Sequence, residues 1–86
     1  MSIRSLEGLI PPIAIRVDDA TVTIYEVIRS KLISGETWYH VTVDIFWRGK
    51  RSRRFSLDVR SWNELRKLLL IEVSKFKWMN LLGVEP

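Results

Sequence analysis

The segment Arg48–Arg54, RGKRSRR, carries five cationic side chains in seven residues. Cations this dense can neutralise a polyanion and release its counterions. The rest of the charge distribution points the same way. Up to Trp47 the chain holds four Arg/Lys and six Asp/Glu, and from Arg48 onward ten against four, so the net +4 is a +6 portion joined to a −2 portion. A positive field of this kind reaches a phosphate backbone from about one Debye length, ~8–10 Å at physiological salt. The plain alternative is a solvated loop that keeps the protein soluble.

Aromatic side chains accompany the cations. Tyr25, Trp38, His40 and Phe46 alternate onto one face of the expected strands with Arg16 beside them, and Trp47 ends the third strand next to the basic turn. Cations with flat rings are the composition that single-stranded nucleic acid requires. The cations hold phosphates, and unstacked bases lie on the rings at roughly 1–3 kcal/mol each. A duplex has less use for the rings. Arg48, Lys50, Arg51, Arg53 and Arg54 are the expected phosphate contacts, with Arg29 and Lys31 on the preceding hairpin; Trp38, Phe46 and Trp47 are the expected stacking surfaces. Trp38 or Phe46 could instead cap a small second core under the N-terminal segment. Trp47 has the parity of a core residue, and Trp62 reads as core.

Other chemistries lack their residues. There is no cysteine and one histidine, His40, so thiol chemistry and thiolate-bound zinc are excluded, and a Ser-His-Asp set would need Asp44 or another distant acid. The four glycines are isolated, so no phosphate-cradling loop is encoded. Asp18-Asp19 reads as a capped turn rather than a metal site. The expectation is a non-enzyme with no cofactor and no metal.

The beginning, MSIRSLEGLIPP, lacks the apolar core of a secretory signal, and the apolar stretch Leu68–Val73 is broken by Glu72, too short to span a bilayer at about 20 residues. A cytoplasmic, nucleoid-associated protein without membrane contact is expected. The absence of cysteine, the single histidine and the many arginines would suit a thermophile.

Eighty-six residues make one domain. The expected class is α+β: a four-stranded curved antiparallel sheet followed by one long C-terminal helix, with residues 1–12 an N-terminal extension and 13–86 a single ββββα domain. Ile13, Ile15 and Val17 alternate as a first strand. In ATVTIYEVI, Val22, Ile24 and Ile28 form one face interrupted by Glu26, with Thr21, Thr23, Tyr25 and Val27 on the other. RSKLISGE reads as a hairpin connection around Gly35, WYHVTVDIFW as the third strand, and Arg51 to Val59 as the fourth, with Phe55, Leu57 and Val59 buried.

The helix, from about Ser61 to Leu82 and bounded by Gly83, has two competing caps, Ser61 and Asp58. Trp62, Leu65, Leu69, Val73 and Phe76 should cover the sheet. A second apolar set, Leu68, Leu70, Ile71, Trp78, Met79, Leu81 and Leu82, exceeds what one sheet can bury, so part of it is expected to meet a second copy of the chain.

The stretch RRFSLDVRSWNELRKLL resembles the corresponding part of the transcriptional coactivator family called positive cofactor four: a basic segment, a short SL strand, a polar cap, and a Trp five residues after the Leu. The resemblance spans about Thr21 to Leu82, with its specific part in Phe55 to Leu69. It implies four curved antiparallel strands and a helix, dimerisation through the helix, and single-stranded DNA along the strands and hairpin loops. It implies that Arg53 contacts DNA, that Trp47 stacks on bases, and that Ser56, Leu57, Trp62 and Leu65 are structural. The chain departs from the family in RSKLISGE, where an aromatic-Lys-Gly-Lys-like turn is usual, in its longer helix, and in its first dozen residues. A kinship with archaeal ThermoDBP-like single-strand binders would change the topology but not the ligand class.

The expected function is therefore a homodimeric, non-catalytic binder of single-stranded DNA or RNA with low sequence specificity. It would serve transcription, replication or repair, and could meet the transcription machinery. The alternative is a protein-interaction module that docks a partner through the apolar helix.

Overall fold

The computed structural model describes residues 10–83. Its order is β1 (Ile13–Val17), β2 (Ala20–Lys31), β3 (Thr37–Trp47), β4 (Lys50–Arg51), β5 (Phe55–Val59) and α1 (Trp62–Leu81). All strand pairs are antiparallel: β1 pairs β2, β2 pairs β3, and the far side of β3 is shared by β4 near Trp47 and β5 near Tyr39. The α+β class and the strand-then-helix order agree with expectation. Of the extension expected over residues 1–12, only Ile10, Pro11 and Pro12 lie within the described residues. Trp38 and Phe46 packing under that segment falls largely outside them.

One face of the sheet carries the core. Ala20, Val22 and Ile24 of β2, Val41, Val43, Ile45 and Trp47 of β3, and Val59 of β5 meet Leu65, Leu69, Val73 and Phe76 of α1, and all are buried. Trp62 and Leu68 pack against the edge of this cluster. The helix starts at Ser61, not Asp58: the Ser61 Oγ accepts the Glu64 N–H at 3.2 Å, and the Glu64 carboxylate reaches back to the Arg60 N–H at 3.2 Å. Asp58 stays in β5, where its carboxylate is taken by His40. At the other end Gly83 adopts φ +76° and donates its N–H to the Asn80 carbonyl, a left-handed stop that glycine accepts without strain.

Two one-residue irregularities decide which side chains face out. In β2 the register shifts between Ile24 and Glu26, leaving Tyr25 as an extra residue. Such a bulge puts two successive side chains on one face and reverses the alternation beyond it. Val27 therefore turns toward the core and Ile28 is 47% exposed, the reverse of the uninterrupted alternation expected from the sequence. Glu26 does not interrupt a buried face; it lies on the open one.

The second irregularity splits the expected fourth strand. Four residues lead from Arg51 to Phe55, but three lead between their partners Phe46 and Val43. Ser52 bridges the gap: its N–H donates to the Ile45 carbonyl at 2.8 Å, while its Oγ accepts the Ile45 N–H at 2.9 Å and donates to the Arg53 carbonyl. A side-chain hydroxyl thus replaces part of the ladder.

The β1–β2 turn is clasped to the helix. Lys77 Nζ lies 2.6 Å from Asp18 Oδ2 and also bonds Asp19, whose carboxylate accepts the Trp47 indole N–H at 3.2 Å. Asp18 and Asp19 thus complete a lysine site, and no group of metal-ligating side chains occurs among the described residues. Lys77, first through Asp18 and then Asp19, is held above its ordinary pKa; Asp19, first through Lys77 and then the Trp47 N–H, is held below its own. The depressed Asp19 contributes stability that is full above 3.8 and is lost as pH falls through its folded value. The raised Lys77 contributes stability that is full below 10.5 and is lost as pH rises through its folded value. Lys77→Met should therefore lower the urea midpoint across the plateau between these limits, with the difference from wild type closing toward both extremes. A difference constant from acid to alkali would show that the clasp acts through packing alone.

Candidate nucleic-acid interface

No described element covers the face opposite the helix, and β3 lays a row of side chains along it. Trp38, His40, Thr42, Asp44 and Phe46 alternate outward over nine residues, whose eight steps span roughly 27 Å at about 3.4 Å each. His40, Thr42, Asp44 and Phe46 each have a side-chain partner from a neighbouring strand, whereas Trp38 meets Glu36 and Arg60 outside the strands. His40 Nδ1 lies 2.7 Å from Asp58 Oδ1, and Thr42 Oγ1 3.2 Å from Ser56 Oγ. Asp44 accepts the Tyr25 O–H at 2.6 Å and Arg51 Nη1 at 3.0 and 3.2 Å. The only histidine is thus paired with Asp58, and Asp44 serves a different network.

Asp44 is 2% exposed, although it sits on the open face. A buried carboxylate is costly unless paired and hydrogen-bonded, and the Tyr25 phenol, on this face by alternation with Thr21 and Thr23, supplies part of that pairing. The Asp44 hydrogen bond also raises the Arg51 pKa above its ordinary value. Arg51 is thereby committed to a protein carboxylate, which lowers its value as a free phosphate contact.

Three arginine–aromatic pairs lie on this face. The Arg60 guanidinium carbon is 5.3 Å from the Trp38 ring centroid, Arg54 is 3.8 Å from Tyr25, and Arg51 is 5.3 Å from Phe46. Arg60 is further held near Glu36 and Glu64, at 3.9 and 3.7 Å. A guanidinium plane over a ring extends the flat surface on which a base can lie. Tyr25 was expected on this face with Trp38 and Phe46, whereas Arg60 was not among the expected contacts. Arg60 follows Val59 and so has outward parity, a signal legible in the sequence, and Tyr25 follows the alternation of Thr21 and Thr23.

The structure divides the expected contacts. Trp38, Phe46, Arg51 and Arg54 are brought together on the open face. Trp47 is not: at 6% exposure it belongs to the core, its indole N–H bonds Asp19, and Arg48 and Lys77 lie 4.6 and 5.5 Å from its ring centroid. The stacking role implied for Trp47 is corrected accordingly, because its parity on β3 directs it at the helix. Arg53 also departs from the open face and lines a groove on the helix side with Phe55, Phe76 and Met79. Arg48 and Gly49 form the two-residue turn between β3 and β4, both with positive φ. Arg29 and Lys31 are exposed near the far end of the β2–β3 hairpin, away from the basic turn. Among the described residues, Arg48, Lys50, Arg53 and Arg54 form no ion pair.

On the outer side of the helix, Leu70, Ile71, Trp78 and Met79 line an apolar groove with Ser74 and Lys75. Leu70, Ile71, Trp78, Leu81 and Leu82 are exposed, whereas Leu68, expected at the same surface, is partly buried against the core. No described helix is long and apolar enough to cross a membrane. No family model, curated protein or solved structure matches the chain.

Proposed function

We propose that this chain is a non-catalytic single-stranded nucleic-acid-binding protein of low sequence specificity, a strand-holding accessory in transcription, replication or repair, working on the nucleoid in the cytoplasm. The observation that carries the reading is the set of three arginine–aromatic pairs on one open sheet face, beside cations that form no ion pair among the described residues. Arg54 and Arg60 engage phosphates or present their planes to bases, and Trp38, Tyr25 and Phe46 provide the rings beneath. Single strands are favoured because splayed bases reach the rings; a duplex engages the cations alone. The likeness to the positive cofactor four family is consistent with this and adds a homodimer through the exposed helix face.

Fluorescence anisotropy with single-stranded and duplex oligonucleotides of equal length, at two salt concentrations, tests the reading. Binding should weaken with salt and favour the single strand about tenfold or more, near 1.4 kcal/mol. It should also quench tryptophan emission in wild type but not in Trp38→Phe. Equal affinity for both forms would reduce the face to a phosphate contact.

A second reading, a protein-interaction module, is favoured by the apolar groove between Leu70 and Met79. Under it, emission from Trp78 responds to a protein partner and oligonucleotides leave the spectrum unchanged.

A further inference from the structure

At the end of the sheet farthest from the basic turn, β2 and β3 continue beyond their neighbours. Pairing with β1 stops at Ile24 and pairing with β5 starts at Tyr39, so among the described residues the pairs Ser30↔Trp38 and Lys31↔Thr37 have no third strand beside them. The tip beyond is braced: the Leu32 N–H donates to the Glu36 carbonyl at 2.7 Å, the Gly35 N–H donates to the Leu32 carbonyl at 2.9 Å, and Gly35 takes φ +96°. The tip of this arm is apolar. Ile33 is fully exposed, Leu32 and Ile28 are about half exposed, and exposed Arg29 and Lys31 flank them.

We propose that the Leu32–Ile33 tip is a wedge that seats against the last base pair where a duplex opens into the single strand held on the open face. The inference rests on the single-strand reading and extends it to a junction. Three observations converge. Branched apolar side chains are the kind that press between or onto base steps, which offer flat apolar surface. The flanking cations are complementary to the phosphates that converge at a fork. The arm's outward side, Ile28, Ser30 and Trp38, is continuous with the open face, so a strand stacked on Trp38 leads directly to the tip. Lipid is the less suited occupant because the arm has only two cations, with Glu36 beside them.

The test uses the full chain and two oligonucleotides: a single strand, and the same strand continued into a hairpin duplex with 2-aminopurine at the junction. Wild type should bind the junction about fivefold more tightly or better and raise 2-aminopurine emission. Leu32→Ser with Ile33→Ser should keep single-strand affinity and lose both effects. These positions lie outside the core, so the fold should survive, and circular dichroism checks it. Equal wild-type affinity for both oligonucleotides, or a variant that retains the junction advantage, overturns the wedge and leaves the single-strand reading standing. No binding to the single strand overturns that reading and the wedge with it. Wild-type sedimentation with phosphatidylserine vesicles, lost in the double variant, would make the tip a membrane contact and also overturn the wedge.

Discussion

Trp47→Ala lowers the unfolding free energy by about 3–5 kcal/mol, the range for deleting a large buried aromatic. That is a large part of the roughly 4–13 kcal/mol available to a chain of 86 residues. The ring is 6% exposed among Ala20, Ile45 and the helix residues of one core, and its N–H anchors Asp19 in the Lys77 clasp. Two losses therefore coincide: a cavity, and a carboxylate deprived of a donor. Trp38→Ala should behave in the opposite way, leaving the urea midpoint near wild type while weakening single-strand binding by roughly 1–3 kcal/mol. The pair of variants separates a core aromatic from a surface one. Should Trp47→Phe, chosen to preserve the fold, lose single-strand affinity as strongly as Trp38→Ala, the indole would be a ligand contact despite its burial.

Replacing Arg54 and Arg60 together by alanine should weaken single-strand binding roughly ten- to hundredfold at low salt and flatten the salt dependence by about 1.4, near 0.7 for each phosphate no longer neutralised. Both guanidinium groups stand on the open face, over Tyr25 and Trp38. Arg48 and Arg53 carry the same charge only a few residues away, but one lies against Trp47 and the other lines the helix-side groove. Their joint replacement should cost much less. Isothermal titration at several salt concentrations compares the two double variants. Equal losses would mean that the basic segment acts as undirected charge, and the geometry of the open face would have no part in binding. Arg51 is unsuitable for this comparison, because removing it leaves the buried Asp44 carboxylate with the Tyr25 hydroxyl as its remaining side-chain partner, a stability cost of about 1–3 kcal/mol.

Much of the architecture was legible from local pattern. Ile13, Ile15 and Val17 alternate because the strand they form is covered on one face, and Leu65, Leu69, Val73 and Phe76 recur at helical spacing because one side of α1 covers the sheet. Ser61 with Glu64 has the spacing of a cap, and the structure uses it. Where strand alternation misled, one inserted residue was responsible. Tyr25 and the Ser52 gap each break the period of two, and alternation counted through either one assigns later side chains to the wrong face. Neither carries a strong local signal, since no glycine or proline marks the spot.

The candidate site was legible in its composition but not in its pairings. The density of cations and rings, the absence of cysteine and the surplus of apolar residues on the helix follow from residue types alone. That Arg60 covers Trp38, that Arg54 covers Tyr25, and that Asp44 spends the charge of Arg51 are consequences of tertiary structure. They depend on strand register, which joins residues distant along the chain and is set by which face the helix buries. Alternation along one strand says which residues share a side; only the packed helix decides which side meets water.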